Sequence, residues 1–167
     1  MATITIIGTG LIGTSLALAL RRASLKDVEL VGTDSDGGAR RGAQKSGAFH
    51  RVENRLLSAI DGADIVVLAT PVMAIKELME VIGPELPGGC VVTDVGSTKK
   101  EVLEWADQYL PKTVDFVGGH PMAGKETPGP ENADAELFRN RAYCIVPGRD
   151  TAQKAVSEVS TMVEAIG

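Results

Sequence analysis

The chain has 167 residues, 44% of them hydrophobic and 23% charged, with a formal net charge of −5. That length holds one well-buried domain but not two of ordinary size, and the acidic residues are scattered among basic ones, which leaves no footprint for nucleic acid or an anionic membrane. No apolar run approaches the roughly 18 residues of a bilayer span, and Met1 leads into a strand without the basic start or cleavage pattern of a signal peptide. Both cysteines, Cys90 and Cys144, lie in apolar runs (CVVTDV and YCIV). They are expected to be buried reduced thiols, in keeping with a cytoplasmic location. No metal is expected.

Apolar runs of strand length alternate with segments of helical period. Residues 2–7 (ATITII) predict a strand and residues 11–22 a helix packed through Leu11, Ile12, Leu16, Leu18 and Leu20. Residues 28–33 (VELVGT) predict a second strand, followed by a polar helix over 39–46 that Gly47 ends. A short helix over 54–61 precedes the apolar strand ADIVVLA at 63–69. Pro71 opens a helix carrying Val72, Ile75, Leu78, Met79 and Ile82, which stops at Gly83-Pro84. CVVTDV (90–95) predicts another buried strand, after which Ser97 is expected to N-cap a helix packed through Val102, Leu103 and Trp105. Short strands at 115–119 and 142–146 and a helix over 150–166 complete the chain. Continuous apolar strands separated by helices predict a Rossmann-type α/β fold, a doubly wound, mainly parallel sheet with helices on both faces. One long Gly- and Pro-rich loop, from Met122 to about Asn132, is expected to be functional or mobile.

Residues 8–13 read GTGLIG, a G-x-G-x-x-G between a predicted strand and a predicted helix. In a dinucleotide site Gly8 permits the tight turn, Gly10 lets a pyrophosphate approach the backbone, and Gly13 lets the helix pack on the strand. The helix N-terminus offers free N–H groups and a partial positive charge to phosphates. Asp34 ends the second strand about 20 residues further on, where a carboxylate accepts from a ribose and repels a 2′-phosphate. NAD is therefore expected, and Arg40 and Arg41 keep NADP open. Ala69-Thr70-Pro71 and Gly96-Ser97-Thr98 follow two further strands and would border the same crevice.

The chain holds two histidines. His120 follows a strand, Gly118 and Gly119, and Pro121 fixes the chain after it, a setting that suits a proton acceptor near neutral pH. His50, among Arg51, Glu53 and Asn54, reads as part of an exposed face and is assigned no role.

The segments GTGLIGTSLALAL (8–20), VVLATPV (66–72), VVTDVGSTK (91–99), GGHPMAGKETPG (118–129) and ADAELF (133–138) together resemble the prephenate and arogenate dehydrogenases, nicotinamide-dependent enzymes of tyrosine biosynthesis. The resemblance runs from residue 2 to about 147. It implies oxidative decarboxylation of prephenate to 4-hydroxyphenylpyruvate, or of arogenate to tyrosine. His120 would engage the ring hydroxyl, and Ser97 would orient the hydroxyl or the nicotinamide. Gly8, Gly10, Leu11, Ile12, Gly13 and Asp34 would hold the cofactor, with Ala69, Thr70 and Pro71 along its path. Lys125, Glu126 and Thr127 would border the substrate.

The family also carries a second, largely helical domain that supplies the homodimer interface and basic groups for the substrate carboxylates. Residues 1–167 are expected to be the dinucleotide-binding domain alone, a module that binds NAD and carries the histidine but turns over little by itself. Two other readings stand beside this one. β-Hydroxyacid dehydrogenases share the opening strand–turn–helix but use a lysine from a later helix. A non-catalytic NAD-binding module would keep the histidine loop for folding alone.

Overall fold

Strands and helices alternate along a computed structural model that describes residues 1–23 and 25–167. The strands are β1 (Ala2–Ile7), β2 (Val28–Thr33), β3 (Arg51–Glu53), β4 (Ile65–Leu68), β5 (Val91–Asp94), β6 (Asp115–Pro121) and β7 (Tyr143–Pro147). The helices are α1 (Leu11–Arg22), α2 (Gly37–Ser46), α3 (Leu56–Ile60), α4 (Val72–Ile82), α5 (Lys100–Tyr109) and α6 (Gln153–Ala165). One sheet runs in the order β3-β2-β1-β4-β5-β6-β7. All neighbours pair parallel except β6 and β7, which are antiparallel. The chain leaves β1 toward one edge and returns to build the other from β4, so the order reverses between β1 and β4. In open parallel sheets that reversal opens a crevice at the carboxyl ends of the strands.

The two-residue strand period sends alternate side chains to two separate cores. Ile4 and Ile6 of β1 and Val67 of β4 pack with α1, α2 and α6, where Leu16, Leu20, Val159 and Met162 are buried. Ile7, Val66 and Leu68 pack with α3, α4 and α5, against Ile60, Ile75, Met79 and Val102. The expected doubly wound fold is the observed one.

Several local expectations are corrected. Helix α5 starts at Lys100 with no side-chain cap, so Ser97 is not its N-cap but an exposed loop residue ahead of it. The cause is Asp94, whose carboxylate accepts from Gly96 N at 2.9 Å and keeps the chain in a turn there. Asp36 caps α2 by accepting from Ala39 N at 2.6 Å, so that helix begins at Gly37 rather than at residue 39. Strand β6 continues through Pro121, which puts His120 inside a strand and not after it. The connection beyond it is pinned. Pro130 is buried against Gly42, Asp134 N donates to Ser15 Oγ at 2.9 Å, and Leu137 and Phe138 enter the core. His50 is exposed, as expected, yet its Nδ1 accepts from Leu30 N at 2.8 Å and extends the pairing of β2 with β3.

Cys90 is buried, as expected, whereas Cys144 is exposed because β7 is an edge strand with one face uncovered. Burial pushes the Cys90 thiol up to about 12 from 9.0. A thiol reagent at pH 8 is therefore expected to modify Cys144 alone in the native protein and both cysteines in denaturant, counted by mass spectrometry. Protonated Cys90 favours the fold fully below pH 9.0, and this contribution is lost as pH rises toward 12.

Candidate functional site

The turn between β1 and α1 depends on three glycines for different reasons. Gly8 has φ +100°, and a Cβ there would lie 2.3 Å from Ala69 O. A Cβ on Gly13 would lie 1.9 Å from Gly8 O, so helix and turn touch through bare backbone. A Cβ on Gly10 would meet no atom within 4 Å. Gly10 thus presents backbone to open space, the side from which a ligand can approach. No side chain caps α1, and its first bond runs from Thr14 N to Gly10 O at 3.0 Å. The amides of Leu11, Ile12 and Gly13 lie ahead of that bond, where an anion is favoured by N–H groups and helix dipole together.

Asp34, at the end of β2, fixes this turn from the side. One carboxylate oxygen accepts from Thr9 N at 2.7 Å and the other from Asp36 N at 2.9 Å. Thr14 Oγ1 closes the turn on Thr9 O at 2.9 Å. Beside it lies a cavity of about 540 Å³ walled by Gly8, Asp34, Arg40, Thr70, Leu78 and Val81. The Thr70 hydroxyl is buried there and has no hydrogen-bond partner among the described residues. Ala69 serves the backbone, donating to Ile7 O at 2.7 Å, and Pro71 is the N-cap residue of α4. Of that predicted trio only Thr70 lines the cavity. Arg40 donates to the backbone oxygens of Asp34 and Ser35, which commits it to the β2–α2 loop, while Arg41 is exposed. A second cavity, of about 290 Å³, lies at the opposite sheet edge near Asp115 and Pro147 and holds none of the predicted site residues.

His120 is half-buried near the carboxyl end of β6 and pairs in register with Cys144 of β7. Lys125 is turned to its own loop, with Nζ 3.0 Å from Asp134 Oδ2 and 3.2 Å from Asn132 O. Glu126 and Thr127 are exposed. The structure brings the glycine turn, Asp34 and Thr70 together around one cavity and places Ser97 and His120 after and within the next two strands of the same edge.

Three residues escape the sequence reading. Asp94, fully buried, accepts from Gly96 N and from Gly119 N at 3.0 Å and pairs with Lys99. Lys99 also donates to Gly119 O at 2.8 Å. Burial pulls the Lys99 ammonium below the usual lysine range, against the opposing pull of Asp94. The Tyr143 hydroxyl is buried without a partner among the described residues, and desolvation, with the Asp94 charge adding, raises its pKa. The available signal was a carboxylate inside the otherwise apolar run VVTDV.

The sequence profile of the family described as prephenate dehydrogenase, nucleotide-binding domain, matches residues 16–167. The chain belongs to this family. The prephenate dehydrogenase of Bacillus subtilis (strain 168) is 36% identical over 163 residues, which cover 97% of this chain and 44% of that protein. The crystal structure of prephenate dehydrogenase from A. aeolicus, in complex with hydroxyphenyl propionate and NAD+, superposes with TM-score 0.91 at 29% identity, over 100% of this chain and 58% of that one. Synechocystis arogenate dehydrogenase superposes with TM-score 0.89 at 32% identity, over 99% and 57%. The chain thus spans about half the length of these family members. 3-Hydroxyisobutyrate dehydrogenase from Mycobacterium tuberculosis, a β-hydroxyacid enzyme, shares the fold alone, at 16% identity and TM-score 0.74. No helix among the described residues is long and apolar enough to cross a membrane, and none of them form a cluster of three or more His, Cys, Asp or Glu suited to a metal ion.

Proposed function

We propose that this chain is the NAD-binding, histidine-bearing half of a cytoplasmic enzyme that oxidatively decarboxylates prephenate or arogenate. The observation that carries the reading is positional. Parallel β1, β2, β4, β5 and β6 end on one sheet edge, and that edge gathers the Gly8–Gly13 turn, Asp34, Thr70, Ser97 and His120.

The residues present fit a dinucleotide. The open face at Gly10 and the uncapped start of α1 would take the pyrophosphate. Asp34 would accept from the adenosine ribose, the cavity behind Leu78 and Val81 would hold the adenine, and the Thr70 hydroxyl would find its missing partner there. The nicotinamide supplies the acceptor for the hydride that leaves C4 of the substrate ring.

His120 takes the proton of the C4 hydroxyl as that hydride leaves and the oxygen becomes a carbonyl, and it returns the proton when decarboxylation turns that oxygen into a phenolate, which gives the phenol. Ser97, exposed after β5, orients the hydroxyl. The ring carboxylate departs as carbon dioxide, and its bonding pair completes the aromatic ring. Aromatisation drives the reaction, so the protein's work is alignment and charge stabilisation. Lys125 meets substrate only if it leaves Asp134. The gripping groups and the homodimer interface belong to a second domain in the full-length protein, so the isolated chain binds cofactor and turns over little.

Calorimetric titration of the 167-residue chain tests the cofactor assignment. NAD is expected to bind in the micromolar range and NADP more than about tenfold weaker, a gap of at least ~1.4 kcal/mol. Asp34→Asn should narrow that gap. A preference for NADP would reassign the site to Arg40 and Arg41. Assays of the full-length protein with prephenate and with arogenate decide the substrate.

A further inference from the structure

The parallel ladder between β5 and β6 ends at Thr93 and Val117. Beyond it side chains replace the backbone ladder. Asp94 Oδ1 accepts from Gly119 N at 3.0 Å, and Lys99 Nζ donates to Gly119 O at 2.8 Å. Both polar groups of the residue before His120 are thus held by one ion pair. The same carboxylate, through Oδ2, accepts from Gly96 N at 2.9 Å, next to Ser97.

The enclosure leaves no slack. A Cβ on Gly119 would lie 2.4 Å from Asp94 O and 2.9 Å from the Tyr143 hydroxyl, and one on Gly118 would lie 3.1 Å from Lys99 Cδ. The paired glycines before His120 make room for these close neighbours: Val146 O and the Lys99 stem beside Gly118, and Asp94 O and Tyr143 over Gly119. Asp94 is fully buried, and a buried ion pair adds little stability over apolar side chains of similar volume. What such a pair does supply is direction, since each bond fixes one backbone group in one orientation.

We propose that Asp94 and Lys99 are positioning residues that set His120 and Ser97 relative to each other by holding Gly119 and Gly96 on one carboxylate. The assignment rests on the roles given above to His120 and Ser97. It predicts a defect in alignment and not in cofactor binding, because the Asp34 cavity lies on the far side of β4 and includes neither residue.

Lys99→Met keeps the stem over Gly118 and removes the charge, Lys99→Arg restores a cation, and Asp94→Asn keeps the shape. In the full-length protein Lys99→Met is expected to lower kcat on the order of 10²-fold, the scale of a misplaced catalytic group. KM for NAD should stay within about threefold, and Lys99→Arg should recover part of kcat. In the 167-residue chain, amide hydrogen exchange should show Gly119 and Gly96 losing protection in Asp94→Asn while Val117 keeps its own. Unchanged kcat in Lys99→Met, or unchanged protection of Gly119 in Asp94→Asn, overturns the clamp. A full-length wild type that turns over neither substrate overturns the dehydrogenase reading instead, and the clamp is then decided by amide exchange alone.

Discussion

His120→Asn in the full-length protein is expected to cut kcat by roughly 10²–10⁴-fold, the usual contribution of a positioned general acid or base, while NAD affinity is retained. The asymmetry follows from the fold: His120 lies on β6, and the cavity proposed for the cofactor lies at the ends of β1, β2 and β4. Asparagine has comparable bulk and can hydrogen-bond, so the half-buried strand position should tolerate it. The neutral imidazole is the form that accepts a proton. Wild-type turnover should therefore be lost in acid, and the residual rate of the variant should lack that loss. A wild-type rate that is flat from pH 9 to pH 5 removes His120 as acceptor. Cys144 offers an independent probe, since it is exposed and directly across from His120 in the ladder. Cross-strand partners have Cβ atoms only about 5 Å apart, so a bulky maleimide on Cys144 should block turnover and leave NAD binding intact.

What could be read in the sequence was whatever depends on near neighbours. The Gly8–Gly13 turn, Asp34 and the helices expected from Val72 to Ile82 and over 150–166 are set by spacing of a few residues, and the structure has those helices at Val72–Ile82 and Gln153–Ala165. β3 is not legible in the sequence because three residues are too few to read a period from, and they are strand only through pairing with β2. Cys144 read as buried because YCIV is apolar, yet exposure depends on β7 being the last strand, which is a property of the whole sheet. Ser97 read as a cap because Ser before a helix usually is one. The bond that displaces it comes from Asp94. The larger omission has the same origin. Asp94 and Lys99 are five residues apart, but Gly119, the residue they hold, is 25 positions beyond Asp94, and no local pattern connects them.

Gly10→Ala and Gly13→Ala, two substitutions three positions apart, are expected to fail in opposite ways. In Gly13→Ala the new methyl would lie 1.9 Å from Gly8 O, a backbone atom that cannot rotate away, so turn and helix must separate. Alanine's better helix propensity returns about 1 kcal/mol. Overpacking a tight contact costs about 1–3 kcal/mol and more where backbone is struck, so overpacking wins. A net loss of ~2 kcal/mol corresponds to a melting temperature lower by roughly 4–8 °C for a chain of this size. In Gly10→Ala the backbone, at φ −73°, accepts a side chain, and the methyl meets no atom within 4 Å. Stability should stay within about 0.5 kcal/mol of wild type. The methyl would instead fill the space proposed for the pyrophosphate, and NAD affinity should fall more than about tenfold, or ~1.4 kcal/mol. Thermal melts and NAD titrations of the two variants separate the effects. Wild-type NAD affinity in Gly10→Ala would show that this turn shapes the fold and touches no cofactor.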